Sequence, residues 1–213
     1  MLTLNVKAQD LGLYNYSIGA KGYSLLQMPK LMNEIKTDEY NSVYANTVFV
    51  KLLDNQINYR IIGSYNSEDI RFKNQCSTCQ EGEGNRIDYS FKLGFEKNIT
   101  YSKIQPYYGI DLGYRANKFS GTIRDLTNSA PLYSVESDKV GASLSPFLGV
   151  KINISPNILL FGEGNFEFFY SYENRETVNN APGSPTSFSR YTRMEYLLNP
   201  VSAGLQINFG SRN

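Results

Sequence analysis

Histidine and tryptophan are both missing from this 213-residue chain, and cysteine occurs only twice. The missing histidine removes the commonest general base, the usual partner of a serine or cysteine nucleophile, and the commonest metal ligand. We therefore expect no enzymatic activity, no bound metal and no cofactor. Neither sign of charge dominates, with 21 Lys plus Arg against 20 Asp plus Glu, so the composition predicts no nucleic-acid partner.

Long apolar runs are missing as well. No segment approaches the roughly 18–20 apolar residues that a membrane-spanning helix needs. A closed β-barrel needs only about 9–11 alternating residues per crossing, because its backbone groups pair between strands. A mean hydropathy of −0.39 is therefore compatible with a membrane barrel.

The N-terminus carries a weak export signature. Val6-x-Ala8 has the small-residue spacing at which a signal peptidase cuts, although the preceding charged and apolar regions are short. We interpret Met1 to Ala8 as the remnant of an export signal and place residues 1–10 outside the folded domain. An ordinary flexible terminus is the alternative.

Strict alternation of apolar and polar residues is clearest from Arg86 to Lys97, which reads RIDYSFKLGFEK. A period of two predicts a strand with two unlike faces. The apolar face consists of Ile87, Tyr89, Phe91, Leu93 and Phe95. The opposite face consists of Arg86, Asp88, Ser90, Lys92, Gly94 and Glu96.

The same alternation predicts eight strands and no helix. They lie near residues 11–21, 43–53, 56–72, 86–97, 104–115, 140–153, 158–172 and 190–209, with a bulge near Asn199 and Pro200 where the phase of the last strand changes. The links after strands two, four and six are short. The other links, 28–41, 73–85, 124–131 and 174–189, are long and polar. This asymmetry predicts an all-β, antiparallel, up-and-down transmembrane barrel over residues 11–209, with short periplasmic turns, longer extracellular loops and both termini in the periplasm.

Glycine decides which face points inward. Gly94, Gly109, Gly113, Gly141, Gly149 and Gly204 all lie on the polar face, and the narrow lumen of an eight-stranded barrel needs small residues there. Tyr14, Tyr59, Tyr65, Tyr108 and Tyr114 lie on the apolar face, where interfacial aromatic girdles occur. We predict that lipid faces Ile87, Tyr89, Phe91, Leu93, Phe95, Ile110, Leu112, Leu148, Val150, Ile152, Leu205, Ile207 and Phe209. A soluble barrel of the lipocalin kind, with its apolar face inward, is the alternative.

Charged residues of both signs fall on the predicted inward face. They are Lys21, Lys51, Arg60, Arg86, Asp88, Lys92, Glu96, Asp111, Arg115, Lys151, Glu163 and Glu167. Charges in a narrow lumen are costly unless they are paired and hydrogen-bonded, so we predict ion-pair networks that plug the barrel. A narrow ion path or proton relay is the alternative.

The two cysteines lie in the polar loop KNQCSTCQEGEGN, three positions apart. A metal site would need further ligands, and a redox-active pair usually sits at a helix start. In an oxidising envelope, we predict a disulfide between Cys76 and Cys79. This loop is our first candidate for contact with a partner.

The eight alternating strands, the long loops and the terminal NPVSAGLQINF resemble small outer-membrane proteins of the OmpA and OmpX transmembrane type. The segment FKLGFEKNITYSKIQPYYGIDLGYR resembles barrels of the Bacteroidota in particular. Such barrels often end on an aromatic residue, whereas here residues 210–213 follow Phe209. The resemblance implies an outer-membrane location among lipopolysaccharide and phospholipid.

We expect a non-enzymatic barrel that acts through its extracellular loops. It would serve as an accessory subunit of a larger envelope assembly or as a structural or surface-interaction protein. The alternatives are a small ion or solute channel and a soluble lipocalin-like binder.

Overall fold

Eight antiparallel strands make up the fold. The structure, a computed structural model, describes residues 14–31, 40–54, 57–73, 80–125, 131–179 and 185–211. The strands are β1 (Tyr14–Gln27), β2 (Tyr40–Leu52), β3 (Asn58–Lys73), β4 (Gln80–Asn98), β5 (Ile104–Asp125), β6 (Pro131–Asn153), β7 (Ile158–Asn179) and β8 (Ser187–Ser211). The described residues contain no helix long and apolar enough to cross a bilayer.

The strands close into one barrel in chain order, because β1 pairs with both β2 and β8. The predicted all-β, eight-stranded up-and-down architecture is therefore confirmed. The links after β2, β4 and β6 are short and lie at one end of the barrel, which we call the short-turn end. The other ends of the strands make up the opposite end, which we call the long-loop end. The backbone N–H of Asn208 donates to the carbonyl of Asn157 at 2.8 Å, which ties β8 to the turn after β6.

The link predicted over residues 73–85 is longer than the link in the structure, where β3 ends at Lys73 and β4 begins at Gln80. Residues 80–85 belong to β4 and pair with β3 on one side and β5 on the other. The glycines that suggest a turn here lie within the strand, where the neighbouring atoms leave no room for a side chain. A Cβ on Gly82 would lie 2.2 Å from the Phe72 ring, and a Cβ on Gly84 would lie 2.4 Å from the Ser120 carbonyl oxygen. Cys76 and Cys79 lie outside the described residues.

The link predicted over residues 174–189 is also shorter in the structure. β7 continues to Asn179 and β8 begins at Ser187, with Thr177 paired to Ser187. The predicted irregularity near Asn199 is confirmed: Glu163 pairs with Ser202 but Asn165 pairs with Asn199, so β8 carries an extra residue there.

The barrel wall is uneven in height. β1, β2 and β3 contain 14, 13 and 16 residues, whereas β4 to β8 contain 19 to 25. Because the links at the short-turn end are all brief, most of the extra length of β5 to β8 lies at the long-loop end, whereas β3 reaches nearly the same height as β4, since Lys73 pairs with Glu81. There β4 to β8 form a tall wall that continues past the ends of β1 at Gln27 and β2 at Tyr40.

Candidate functional site: the charged interior of the barrel

Glu96 is the centre of a group of ion pairs near the short-turn end. Its carboxylate is fully buried and lies 2.8 Å from the Lys51 ammonium and 3.6 Å from the Arg60 guanidinium, and it also contacts the Lys151 ammonium. In the adjacent turn, partial burial raises the pKa of the Tyr101 hydroxyl, and the negative charge of Glu96 raises it further. Three cations from three strands therefore share one carboxylate.

Arg60 links this group to two further carboxylates. Its Nε and Nη2 donate to Asp111 at 2.7 and 2.5 Å in the bidentate geometry that guanidinium favours, and its Nη1 donates to Glu163 at 3.0 Å. Glu163 also accepts from Lys21 at 2.8 Å and from the Tyr107 hydroxyl at 2.9 Å. We call this set the short-turn cluster; it comprises Lys21, Lys51, Arg60, Glu96, Asp111, Lys151 and Glu163.

A second group lies further along the barrel axis, and we call it the middle cluster. Arg115 donates to Asp88 at 3.1 Å and to Glu167 at 2.9 Å, while Lys92 donates to the other oxygen of Glu167 at 2.5 Å. Asn117 donates to Asp88 at 2.9 Å. Two cations and two anions therefore balance within this cluster.

The twelve sequence-predicted lumen residues are thus divided among three places. Seven belong to the short-turn cluster, four form the middle cluster, and Arg86 pairs with Glu68 nearer the long-loop end. All twelve are buried or half-buried and point to the interior. This arrangement is the reverse of a soluble barrel, in which the charged face is turned to water.

A third group, the long-loop cluster, was not predicted. Lys139 lies 2.9 Å from Glu195 and 3.7 Å from Glu173, and Glu173 in turn contacts Arg175 at 3.0 Å and Arg193 at 3.8 Å. Lys139 and Glu173 continue the alternation of Lys151 and Glu167 on the same strands, which is the signal that could have identified them.

The chain after β1 turns into the barrel at this level. The backbone N–H of Lys30 donates to Glu195 at 2.7 Å, and its carbonyl accepts from the Lys139 ammonium at 2.6 Å. Leu31 packs against Phe119, Ile123 and Val135 in a small apolar cluster. Residues 28–31 therefore narrow the lumen from the long-loop end.

Aromatic rings fill the space between the charges, which the sequence interpretation also missed. The rings of Phe49 and Phe161 meet edge to face with centroids 5.4 Å apart, and the Arg60 guanidinium lies 3.6 Å from the Phe147 centroid. Facing glycines leave room for these rings. A Cβ on Gly19 would lie 2.2 Å from Phe49, and one on Gly109 would lie 2.4 Å from Phe147.

The outer face of the barrel is an apolar belt. Ten of the thirteen residues predicted to face lipid are exposed, and Ile87, Tyr89 and Ile110 are half-buried among their neighbours. Tyrosines on the outer face occur at both edges of this belt; they include Tyr16, Tyr59 and Tyr108 toward the short-turn end, and Tyr44, Tyr65, Tyr114, Tyr170 and Tyr172 toward the long-loop end. An apolar band between two tyrosine girdles is the pattern of a barrel surrounded by lipid.

The chemistry that this interior offers is structural. Each carboxylate of the short-turn and middle clusters already accepts from at least one cation, so none is free to act as a base without breaking an ion pair. Within the described ranges, no three acidic or cysteine side chains are grouped closely enough to hold a metal ion.

The fold is that of the small eight-stranded outer-membrane β-barrel proteins. A major outer membrane protein from Thermus thermophilus superposes with a TM-score of 0.55 at 12% sequence identity, over 91% of this chain and 98% of that one. The outer membrane protein OprG from Pseudomonas aeruginosa superposes with a TM-score of 0.54 at 9% identity, over 93% and 98%. No protein-family model matches the sequence, and no curated protein matches it significantly.

Proposed function

We propose that this chain is a non-enzymatic, non-conducting outer-membrane barrel that acts through the surface at its long-loop end. Its termini lie in the periplasm, and its apolar belt contacts phospholipid and lipopolysaccharide. The proposal rests on the shared fold with integral outer-membrane proteins and on the tyrosine-edged belt.

The observation that carries the non-conducting assignment is the pairing of interior charges at three successive levels. An ion crossing the lumen would have to separate pairs such as Lys51–Glu96 and Arg115–Glu167, whose members are all less than 10% exposed. Beside the Lys51 ammonium, Phe49, Ile62 and Phe161 form a buried apolar cluster that offers an ion no ligand. These features favour a plugged interior that stabilises the barrel.

Reconstitution into planar bilayers tests this assignment. The folded protein should give no conductance steps at protein densities at which a porin control conducts, and folding is verified by heat-dependent migration on SDS gels. Reproducible steps that increase with the amount of folded protein would instead establish the channel alternative.

The tall wall of β4 to β8 supports the second half of the proposal. β6 contains 23 residues, whereas about 9–11 suffice to cross a bilayer, so roughly half of the strand is left for the cell exterior. We assign this part to contact with other envelope proteins, as an accessory subunit, or to surface interaction.

Affinity purification from detergent-solubilised envelopes distinguishes these two roles. A stoichiometric companion that is lost when the loop holding Cys76 and Cys79 is replaced by a Gly-Ser linker supports the subunit role. If the barrel purifies alone at the same detergent concentration, and also purifies alone from crosslinked cells, the subunit role is excluded. The surface-interaction role then remains.

A further inference from the structure

One edge of β8 has no partner strand over much of its length. β1 pairs with β8 only as far as Leu25–Val201, whereas β7 pairs with β8 as far as Thr177–Ser187. Residues 187–197 therefore pair with β7 alone among the described strands. At about 3.4 Å per residue, this unpaired edge is roughly 35 Å long. We call it the β8 edge.

Side chains end the pairing of β1 with β8. The backbone N–H of Leu198 donates to the side-chain oxygen of Gln27 at 2.6 Å, and the backbone N–H of Gln27 donates to the side chain of Asn199 at 3.1 Å. The backbone N–H of Lys30 then donates to the carboxylate of Glu195 and not to the β8 main chain. The described chain after Gln27 thus passes β8 without pairing with its backbone.

The β8 edge begins at the outer margin of the apolar belt. Tyr23 pairs on one side with Tyr44, which belongs to the tyrosine girdle, and on the other side with Ala203. The pairing of β1 with β8 ends at Leu25, two residues further along β1. Residues 187–197 continue from this level away from the lipid, so their unpaired backbone groups are accessible from the cell exterior.

Natural sheets protect exposed edges with short strands, prolines, bulges or charges. The β8 edge is long, and its sequence SFSRYTRMEYL contains no proline. The bulge of β8 lies outside it, near Asn199. Charge is the one protective device left. An exposed strand of this kind is a template for an added strand, which gains main-chain hydrogen bonds along its whole length.

The charges of the β8 edge indicate which segment fits it. The carboxylate of Glu195 already pairs with Lys139. Arg190 is exposed and has no ion pair with another described residue, while Arg193 reaches Glu173 only at 3.8 Å. The two arginines lie on opposite faces of the strand, so each face of the edge offers a positive charge. Opposite charges directly across two strands stabilise their pairing.

A second copy of this chain does not fit the β8 edge. Two copies in one membrane are related by a rotation about the membrane normal, so their β8 strands run in the same direction. With a tilt of about 40°, strands that face each other across such an axis would cross at about 80°. Neighbouring strands of a sheet differ by only about 20–25°. The added strand therefore belongs to a different protein.

We propose that an extended, acidic segment of another protein adds to the β8 edge as a further strand. Its backbone pairs with residues 187–197, and its carboxylates lie opposite Arg190 and Arg193. This inference rests on the proposed function, because it names the class of partner that the surface at the long-loop end takes.

Hydrogen exchange of the full chain in phosphatidylcholine nanodiscs tests the proposal. The probe is a synthetic peptide of the repeat Thr-Glu-Val-Glu. One counterpart has lysine in place of every glutamate, and the other has proline in place of every valine, which removes main-chain donors. The glutamate peptide should bind saturably and slow the exchange of those amides of residues 187–197 that point away from β7. Both counterparts should bind about tenfold more weakly or less.

Matched variants locate the binding. Arg190→Glu should weaken binding of the glutamate peptide about tenfold and strengthen binding of the lysine peptide, because the charge across the added strand is reversed. Arg124→Glu is the control and should change neither. Arg124 is also exposed near the long-loop end, but it lies on β5, which is paired on both sides.

Several results would overturn the proposal. They are no saturable binding of the glutamate peptide, equal binding of either counterpart, or an equal loss in Arg124→Glu. Slow exchange of the β8 edge before any peptide is added would show that the chain covers this edge itself. Protection confined to β3 beyond Ser64, which is also unpaired on its β2 side, would exclude β8 as the site. A stoichiometric companion from envelopes without protection by the peptide would overturn this inference alone and leave the proposed function intact.

Discussion

Replacing Glu96 with glutamine removes one negative charge from the centre of the short-turn cluster while keeping the shape of the side chain. Four cations would then share two carboxylates instead of three. At 2.8 Å and an effective dielectric constant of about 20, the Lys51 contact alone amounts to about 6 kcal/mol before desolvation. Desolvation offsets part of this attraction in the native protein, and breaking a buried pair typically costs about 3–5 kcal/mol. We expect a loss of that size in the free energy of unfolding.

Urea unfolding of the barrel in phospholipid vesicles measures this loss. Heat-dependent migration on SDS gels is the suitable readout, because the chain has no tryptophan for fluorescence. Glu83→Gln is the matched control: its partner Arg71 lies 3.2 Å away, but the two side chains are 51% and 63% exposed, and such pairs contribute less than about 1 kcal/mol. If the two variants lost the same small amount, the interior ion pairs would not be holding the barrel together.

Three further outcomes are expected. Phe91→Asp places a charge on the lipid face and should impair membrane assembly by on the order of 2 kcal/mol, measured as the folded fraction in vesicles. Ser90→Asp, on the inner face, should be tolerated better, and equal tolerance at the two sites would reverse the inside-out assignment. Gly94→Ala should lower the free energy of unfolding by about 1–3 kcal/mol in the same urea assay, since its Cβ would lie 2.0 Å from a carboxylate oxygen of the facing strand. Gly63→Ala should be nearly neutral, because no atom lies within 4 Å of its Cβ. A loss of the same size at both sites would exclude steric crowding as the cause. Thiol labelling of the denatured, unreduced protein should find no free thiol within Cys76–Cys79, and reduction should leave the unfolding curve unchanged; two labelled cysteines would rule out the disulfide.

Alternation along the strands was enough to predict the barrel and the face on which the charges of the short-turn and middle clusters lie. It could not predict their partners. Arg60 and Glu163 are 103 residues apart and meet across the lumen, so their contact depends on how far each strand is shifted against the next around the closed barrel. The period of the sequence shows on which face of a strand a side chain lies, but it does not show this shift between strands.

The aromatic filling of the lumen was missed for a different reason. Phe49 is two residues from Lys51, and Phe161 is two residues from Glu163, so a period of two places both rings on the inward face. The rings were missed because apolar residues were assumed to face lipid. The packing that makes such rings acceptable, a facing glycine with no side chain, appears only when the strand register is known.

The long-loop end was the least predictable region. Above the apolar belt both faces of the strands are polar, as in β7 from Glu173 to Thr177, so the contrast between faces that marks a strand disappears. Hydrogen bonds to the neighbouring strands still hold the region together, and they leave no trace in composition.

The uneven height of the wall makes the protein directional in the plane of the membrane. β6 exceeds β2 by ten residues, which at about 3.4 Å per residue and a tilt of about 40° is a step of roughly 25 Å. A neighbour diffusing in the same bilayer meets a low rim beside the β1–β2 hairpin and a high wall on the opposite side. Two barrels of this kind can therefore approach one another in several non-equivalent orientations, and a complex that uses the high wall is restricted to rotations about the membrane normal that turn β4 to β8 toward the partner.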